Sequence, residues 1–315
     1  MNPPMKKLVG VDALAPQEGG AAITVGTFDG MHLGHRALIA RTIEEARSYG
    51  GTSVLVTWDR HPLETLRPGS EPRVLTTPER KAELIEDTSI DTLVILPFDE
   101  AFSKWAPERF VTDVLVKLGA RAVFVGRGWR FGHKAAGTID LLDKMGAEHG
   151  FVANALTLAE VEGKPVSSTR VRSAIARGDM TTARTLLARP FDVDGVVLRG
   201  DRRGTDLGFP TANLKLDRSI AHPPRGIYAG RAVTEDEISY TAAINVGVNP
   251  QFGGDPDTTP WRVEAYLLDF GGDLYDQRLR VELHERLRDE LKFESVDALV
   301  EQMTKDVDRT RSLMA

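Results

Sequence analysis

Cysteine is absent from the 315 residues. That excludes a disulfide framework, a thiolate metal site and a cysteine nucleophile. No run of about 18 apolar residues occurs, so no membrane-spanning helix is expected. Lys6 and Lys7 are followed by no apolar stretch, so the first twenty residues do not read as a secretory leader. A cation excess is missing too: 40 Lys and Arg face 46 Asp and Glu, a formal net charge of −6. A dedicated nucleic-acid binder needs surplus cations to neutralise phosphates, so no nucleic-acid partner is expected. The GxxxxGK[ST] phosphate loop is also lacking, so any kinase chemistry must cradle phosphate in another way. These absences leave a soluble cytoplasmic protein with small-molecule partners as the expectation, with self-association open.

What is present reads as two domains, in keeping with roughly 150 residues per domain. In the first half, short apolar runs alternate with helical patterns. The runs are Ala21–Phe28, Ser53–Trp58, Thr92–Phe98, Arg121–Gly126 and Phe151–Leu158. Helical spacing covers about Gly34–Tyr49, a segment opened by Thr77-Pro78, and Phe110–Leu118. Near-continuous apolar strands suit a parallel sheet covered on both faces, so this half predicts a doubly wound α/β domain. After about Leu187 strands follow one another directly: Phe191–Gly200, Gly226–Val233, Tyr240–Gly247, Trp261–Phe270 and Leu274–Leu283. Gly271-Gly272-Asp273 between the last two reads as a hairpin turn. A closing helix, about Val296–Arg311, places Val296, Leu299, Val300, Met303 and Val307 on one stripe. This half predicts a small antiparallel β-barrel with a covering helix. The expected domains are 1–187 and 188–315.

Several stretches can carry chemistry. GTFDGMHLGH (Gly26–His35) joins the first strand to the first helix. Its glycines (Gly26, Gly30, Gly34) allow close backbone approach, and a helix N-terminus suits phosphate. His32 and His35 are three apart and can face one side, where imidazoles stabilise charge developing at a phosphate. Solvated histidines in a glycine turn, or a zinc site completed by His61 or His133, are the competing readings. TWDRHP (Thr57–Pro62) ends the second strand and brings His61 to the same edge of the sheet. GRGWRFG (Gly126–Gly132) combines glycine, cations and aromatics, a set suited to phosphate and a flat ring. VSSTRVR (Val166–Arg172) puts three hydroxyls ahead of a helical pattern, with Arg172 able to neutralise phosphate charge. In the second half, Gly200–Asn213 is rich in glycine and arginine and runs into GFPTAN. Thr211 and Asn213 offer hard oxygen ligands of the kind magnesium accepts. Glu264 lies mid-strand; if it shares a cavity with Thr211 it is a candidate general base.

On these residues the whole chain resembles the bifunctional riboflavin kinase/FMN adenylyltransferase (prokaryotic FAD synthetase) family. GTFDGMHLGH is similar to that family's GxFDGxHxGH, and VSSTRVR to its I/V-S-S-T-x-I/V-R. LGFPTANL, PRGIYAG, INVGVNPQF, VEAYLLDF and the terminal KFESVDALVEQMTKDVDRTR resemble the flavokinase module. The resemblance implies two ATP-dependent reactions with Mg2+: phosphorylation of riboflavin to FMN, then adenylylation of FMN to FAD. It implies that Glu264 is the kinase base and that Thr211 and Asn213 hold the metal–nucleotide complex, with Gly200, Arg202, Gly204, Gly208 and Pro210 around the nucleotide. In the adenylyltransferase it implies His32, His35 and Arg172 as catalytic groups. Gly26, Phe28, Asp29, Gly30, Gly34, Ser167, Ser168 and Thr169 would bind that nucleotide, and His61, Pro62, Gly126, Arg130 and Phe131 the flavin.

The chain departs from the family pattern in three places. Trp58 and Arg60 stand where phenylalanine and proline are usual, Gly128 where asparagine or aspartate is usual, and Gln251 where threonine is frequent. Alternative readings are a riboflavin kinase with an impaired first domain, a nucleotidyltransferase for another phosphate acceptor, and a non-catalytic flavin or nucleotide sensor.

Overall fold

The computed structural model describes residues 4–157, 159–199, 207–217, 219–248 and 261–315. By packing, the chain divides into two compact units. Met1–Val74 with Pro78–Ser167 forms one, and Leu75–Thr77 with Ser168–Ala315 forms the other.

The first unit holds six parallel strands: β1 (Lys6–Val9), β2 (Ala21–Val25), β3 (Thr52–Trp58), β4 (Thr92–Leu96), β5 (Ala120–Gly126) and β6 (Val152–Leu156). Their order is β1-β4-β3-β2-β5-β6. Strands β2 to β4 run outward in one direction and β5 and β6 in the other, so the order reverses between β2 and β5. Ligands of doubly wound sheets sit beyond the carboxyl ends of the strands at such a switch point. The loops after β2 and β5, which carry GTFDGMHLGH and GRGWRFG, therefore start from neighbouring strand ends. Edge strand β1 lies outside the apolar runs of the sequence; it pairs with β4 from Lys6 opposite Thr92 to Val9 opposite Ile95.

Both faces of the sheet are covered, which is why its strands are continuously apolar. On one face Ile23, Val25, Val54, Val56, Val123 and Val125 pack with Phe110, Val111, Val114, Leu115, Leu142 and Met145. On the other, Leu55 and Leu93 meet Phe28, Met31, Ile39, Ile43, Leu84 and Ile85. The helices responsible are α1 (Leu33–Ser48), α2 (Pro62–Leu66), α3 (Pro78–Glu86), α4 (Glu100–Ser103), α5 (Pro107–Phe110) and α6 (Ile139–His149). The helix expected over Phe110–Leu118 takes π geometry from Val111 to Val116. A short hairpin, β7 (Glu160–Val161) and β8 (Lys164–Pro165), precedes Val166.

The second unit opens with α7 (Ser168–Ala176) and α8 (Met180–Leu187). A closed antiparallel barrel follows, built from β9 (Phe191–Leu198), β10 (Ala212–Lys215), β11 (Gly226–Thr234), β12 (Ser239–Val248), β13 (Trp261–Leu267) and β14 (Arg278–Arg288). Its order is β10-β13-β12-β11-β14-β9, closing through β9 and β10. The hairpin expected at Gly271–Asp273 is therefore corrected: β13 pairs with β10 and β12, whereas β14 pairs with β11 and β9. The turns lie on either side of the glycines, at Leu268–Asp269 and Tyr275–Asp276, and the chain between them crosses to the far side of the barrel. Alternation sets the faces: in β13 Val263, Ala265 and Leu267 are buried, while Arg262, Glu264 and Tyr266 are half-buried on the opposite face. The closing helix spans Val296–Met314.

Candidate active sites

In the first unit, β2 stops at Val25 and the chain turns through Gly26–Met31 into α1. Phe28 has φ 51° and Met31 φ 47°, although neither is glycine, and both side chains are fully buried. Positive φ at bulky residues costs of order 1–3 kcal/mol and survives only where packing enforces it. Here core burial of Phe28 and Met31 locks the loop between strand and helix. His32 caps α1: its Nδ1 accepts from the backbone N–H of His35 at 3.3 Å. An accepting Nδ1 is unprotonated, so neutral His32 carries its proton on Nε2. The two imidazoles stack, with centroids 3.6 Å apart and planes 13° apart, and the Phe28 ring lies 5.1 Å from His35.

Burial holds His35 well below the ordinary imidazole range, assisted by His32 and by the Lys81 ammonium. His35 is therefore a neutral ring at neutral pH, and its Nδ1 is buried without a hydrogen-bond partner. Gly34 gives this pair room: a Cβ there would lie 3.2 Å from the His32 ring and 3.6 Å from the Val166 carbonyl. The start of VSSTRVR thus passes beside the histidine loop. The boundary between the compact units falls inside that motif, after Ser167; Ser168 opens α7, Thr169 is exposed and Arg172 is half-buried.

The end of β3 carries Trp58, which is buried among Phe98, Phe102 and Phe110. Phe131 stacks on Trp129 at 4.6 Å and joins the same aromatic cluster through Phe110. Tryptophan in place of the usual phenylalanine is thus accommodated by a ring-lined wall. Arg60 is exposed and pairs with Asp59 at 2.9 Å. His61 caps α2, accepting from the Leu63 N–H at 3.2 Å and completing a capping box with Glu64; Pro62 is the first helical residue. After β5, Gly126 is half-buried and Arg130 exposed. Gly128 has φ 87°. Glycine, asparagine and aspartate are the residues that tolerate this conformation, so the departure at Gly128 keeps the turn.

Sequence reasoning passed over Lys81. In TPERKAELIED it reads as a solvated charge on the polar face of α3. Its ammonium instead donates to the Trp58 carbonyl at 3.0 Å and to the Thr57 hydroxyl at 3.4 Å.

In the second unit, Thr211 and Glu264 line one cavity of about 590 Å3. The cavity lies on the outer face of the barrel and is walled by Leu299, Met303, Asp306 and Val307 of the closing helix. Register puts Asn213 and Asn245 directly opposite Glu264, on β10 and β12 respectively. Three polar side chains are thereby set abreast, because directly opposed residues share a face. Asn245 also lines the cavity, and its Oδ1 is buried without a partner. Sequence reasoning missed Asn245; its place inside INVGVNPQF was the available signal. The Arg262 guanidinium holds one Glu264 oxygen, Oε1, at 3.2 Å, which leaves Oε2 for a second partner. The Asn213 amide donates to the Thr211 carbonyl at 3.1 Å and hydroxyl at 3.5 Å, so its own oxygen stays available as an acceptor.

Two neutral oxygens and a carboxylate are hard donors that fit a small divalent cation bringing its own waters and phosphate oxygens. No cluster of three or more His, Cys, Asp or Glu able to hold a metal occurs among the described residues. Phe209 meets Tyr266 edge-on at 5.3 Å at the cavity wall. Gly208 has φ 85° and Pro210 is exposed. Gly200, Arg202, Gly204 and Gln251 lie outside the described residues.

Comparison with known proteins matches these two units to two family models. Residues 14–170 match FAD synthetase and residues 187–314 match riboflavin kinase. A bifunctional riboflavin kinase/FMN adenylyltransferase from Pseudomonas fluorescens is 37% identical over 312 residues, covering 99% of this chain and 98% of its own. The protein of the same name from Escherichia coli K12 is 35% identical and covers 96% of each chain. That from Bacillus subtilis 168 is 32% identical, over 92% of this chain and 91% of its own. A solved structure described as a macrolide-efflux protein from Streptococcus pneumoniae superimposes with a TM-score of 0.86 at 27% identity, covering 98% of this chain and 99% of that one. Among the described residues no helix is long and apolar enough to cross a membrane. The motifs, the two architectures and the full-length relatives agree: the chain belongs to the bifunctional riboflavin kinase/FMN adenylyltransferase family, with an FAD synthetase domain followed by a riboflavin kinase domain.

Proposed function

We propose that the chain converts riboflavin to FAD in two ATP-dependent steps, with 1–187 as the adenylyltransferase and 188–315 as the kinase. The substrates are riboflavin, FMN and ATP, with a divalent metal that we assign as Mg2+. The observation that carries the kinase reading is the cavity shared by Thr211 and Glu264, with Asn213 and Asn245 abreast of the carboxylate.

In the kinase step, the terminal ribityl hydroxyl of riboflavin attacks the γ-phosphorus of ATP. The bond to the β-phosphate oxygen breaks, and FMN and ADP are formed. Glu264 takes the hydroxyl proton on Oε2, while Arg262 fixes the other oxygen. The metal, held at Thr211 and Asn213, would neutralise phosphate charge. Gly200, Arg202, Gly204, Gly208 and Pro210 would enclose the nucleotide. The apolar wall formed by Phe209, Tyr266 and the closing helix suits a flat ring.

In the second step, a phosphate oxygen of FMN attacks the α-phosphorus of another ATP, and the α–β bridge breaks to release pyrophosphate. His32, donating through Nε2–H, and neutral His35 stabilise the transferring adenylyl group without adding a desolvated positive charge. Gly26, Phe28, Asp29, Gly30 and Gly34 bring backbone to the nucleotide. Ser167, Ser168, Thr169 and Arg172 bind its phosphates. His61, Pro62, Gly126, Arg130 and Phe131 receive the flavin, next to the aromatic cluster around Trp58. Neither step needs a covalent intermediate, because positioning and electrostatics supply most of phosphoryl-transfer catalysis. The reading is of a cytoplasmic enzyme without a nucleic-acid partner, with self-association open.

The test is to incubate the purified chain with riboflavin, ATP and Mg2+ and to separate the flavins by chromatography. FMN and FAD are both expected. Formation of neither sinks the proposal, and FMN alone leaves a riboflavin kinase with an impaired first domain.

A further inference from the structure

A desolvated ammonium is costly unless its protons are used. Lys81 is half-buried, and desolvation draws it below the ordinary lysine range, against the pull of Asp29 and Asp59. Two of its hydrogen bonds go to the end of β3, one to the Trp58 carbonyl and one to the Thr57 hydroxyl. The Thr57 hydroxyl in turn donates to the Thr27 carbonyl at 3.1 Å. Thr27 sits in the loop that carries Asp29, His32 and His35. A relay therefore runs from α3, across the strand end, into the histidine loop.

A neutral donor would satisfy the Trp58 carbonyl at a lower desolvation cost. What a lysine adds is a fixed positive charge. The titratable groups that face it come from three elements: Asp29 from the β2–α1 loop, Asp59 from the end of β3, and His35 from α1.

We propose that Lys81 is a positioning residue for adenylyl transfer, a fixed cation that braces the end of β3 against the histidine loop and balances the charge of Asp29 in that loop. The inference rests on the reading of that loop as the adenylyltransferase site. Lys81 acts through Thr57, Thr27 and the two carboxylates, not by touching the reacting atoms.

The test compares full-length wild type, Lys81→Gln and Lys81→Arg. FAD formation from FMN and ATP is followed across about pH 5.5 to about pH 9, spanning the histidine range. Riboflavin phosphorylation by the same preparations reports whether the second unit is intact. Lys81→Gln keeps a donor for the Trp58 carbonyl but removes the charge. It is expected to lower kcat for adenylylation by about a hundredfold, the scale of a small misplacement, with KM for FMN changed by less than about threefold. Its acid limb moves to higher pH, because His35 loses a like-charged neighbour and protonates more readily. Lys81→Arg restores the charge and recovers at least about tenfold of the rate. Riboflavin phosphorylation is unchanged in both variants.

A Lys81→Gln protein with wild-type rate and pH profile overturns the proposal. So does a loss that Lys81→Arg does not repair and that leaves the acid limb in place, which marks a plain fold anchor. If wild type itself makes no FAD, the adenylyltransferase reading fails, and this inference with it. If wild type makes FAD and the variants match it, only the role of Lys81 fails.

Discussion

The least exposed polar contact between the closing helix and the barrel of the kinase unit is an ion pair; a second, between Arg311 and Asp269, is exposed. Asp306 is 7% exposed, and both its oxygens accept from Arg288 at the end of β14, at 3.0 and 3.1 Å from Nε and 2.6 Å from Nη2. Gln302 adds a fourth bond at 3.0 Å. Both charged partners are largely out of water, with side chains 18% and 10% exposed, so salt screens them little. Asp306→Ala leaves the half-buried Arg288 charge without its hydrogen-bonded counter-ion. Breaking a buried pair from one side costs about 3–5 kcal/mol. For a unit of this size, about 3 kcal/mol lowers Tm by roughly 6–12 °C. Replacing both partners with apolar residues of similar volume, Arg288→Met with Asp306→Leu, is expected to cost less than Asp306→Ala alone, because no orphan charge remains. Thermal unfolding of wild type, Arg288→Met, Asp306→Leu and the double replacement closes the cycle, with Asp306→Ala measured beside them. Because both residues line the kinase cavity, riboflavin phosphorylation falls with Asp306→Ala while adenylylation of supplied FMN persists. A loss below about 1 kcal/mol for Asp306→Ala, the scale of an exposed pair, refutes the argument. Equal costs for the single and double replacements would also refute it.

The half-buried His35, whose ring is desolvated, makes stability pH-dependent with a defined sign. Its folded pKa is depressed, so below about 6.5 the unfolded chain takes up a proton that the folded chain resists. Stability therefore falls as pH drops from about 6.5 towards the depressed folded value, and His35→Gln removes that part of the slope; urea unfolding at two pH values reads it. Gly34→Ala places a Cβ 3.2 Å from the His32 ring. It should cut FAD formation roughly tenfold or more by displacing the cap, and riboflavin phosphorylation assayed alongside stays at its wild-type rate.

The alternation of the first half was legible because strands buried on both faces must be continuously apolar; Val54–Val56 and Leu93–Val94 are fully or almost fully buried. Edge strand β1 was not, since Lys6 and Lys7 are exposed and give it no apolar signal. In the barrel, the sequence placed Glu264 mid-strand and left its face open; the alternating burial of WRVEAYL puts it on the outer face. Only the fold shows that the closing helix roofs that face, so that Leu299, Met303 and Val307 of the expected stripe face a cavity while Val296 is 60% exposed. Strand β10 was hidden in GFPTAN because four residues carry little periodicity, yet it sets Asn213 beside Glu264. The hairpin reading failed because a glycine pair reports local backbone, not which strand the chain pairs with next. Lys81 failed for a related reason: burial of a helix lysine is decided by what packs above it.

The central claim is that two separate sites, one for each reaction, carry the two steps. Glu264→Gln and His35→Ala test it together in one assay, with riboflavin or FMN as the flavin supplied. Loss of a general base lowers turnover by about 10²–10⁴-fold. Glu264→Gln should lose FMN formation on that scale while still adenylylating supplied FMN, and His35→Ala should still make FMN but little FAD. If either substitution abolishes both reactions to the same extent in a folded protein, the two-site account is wrong.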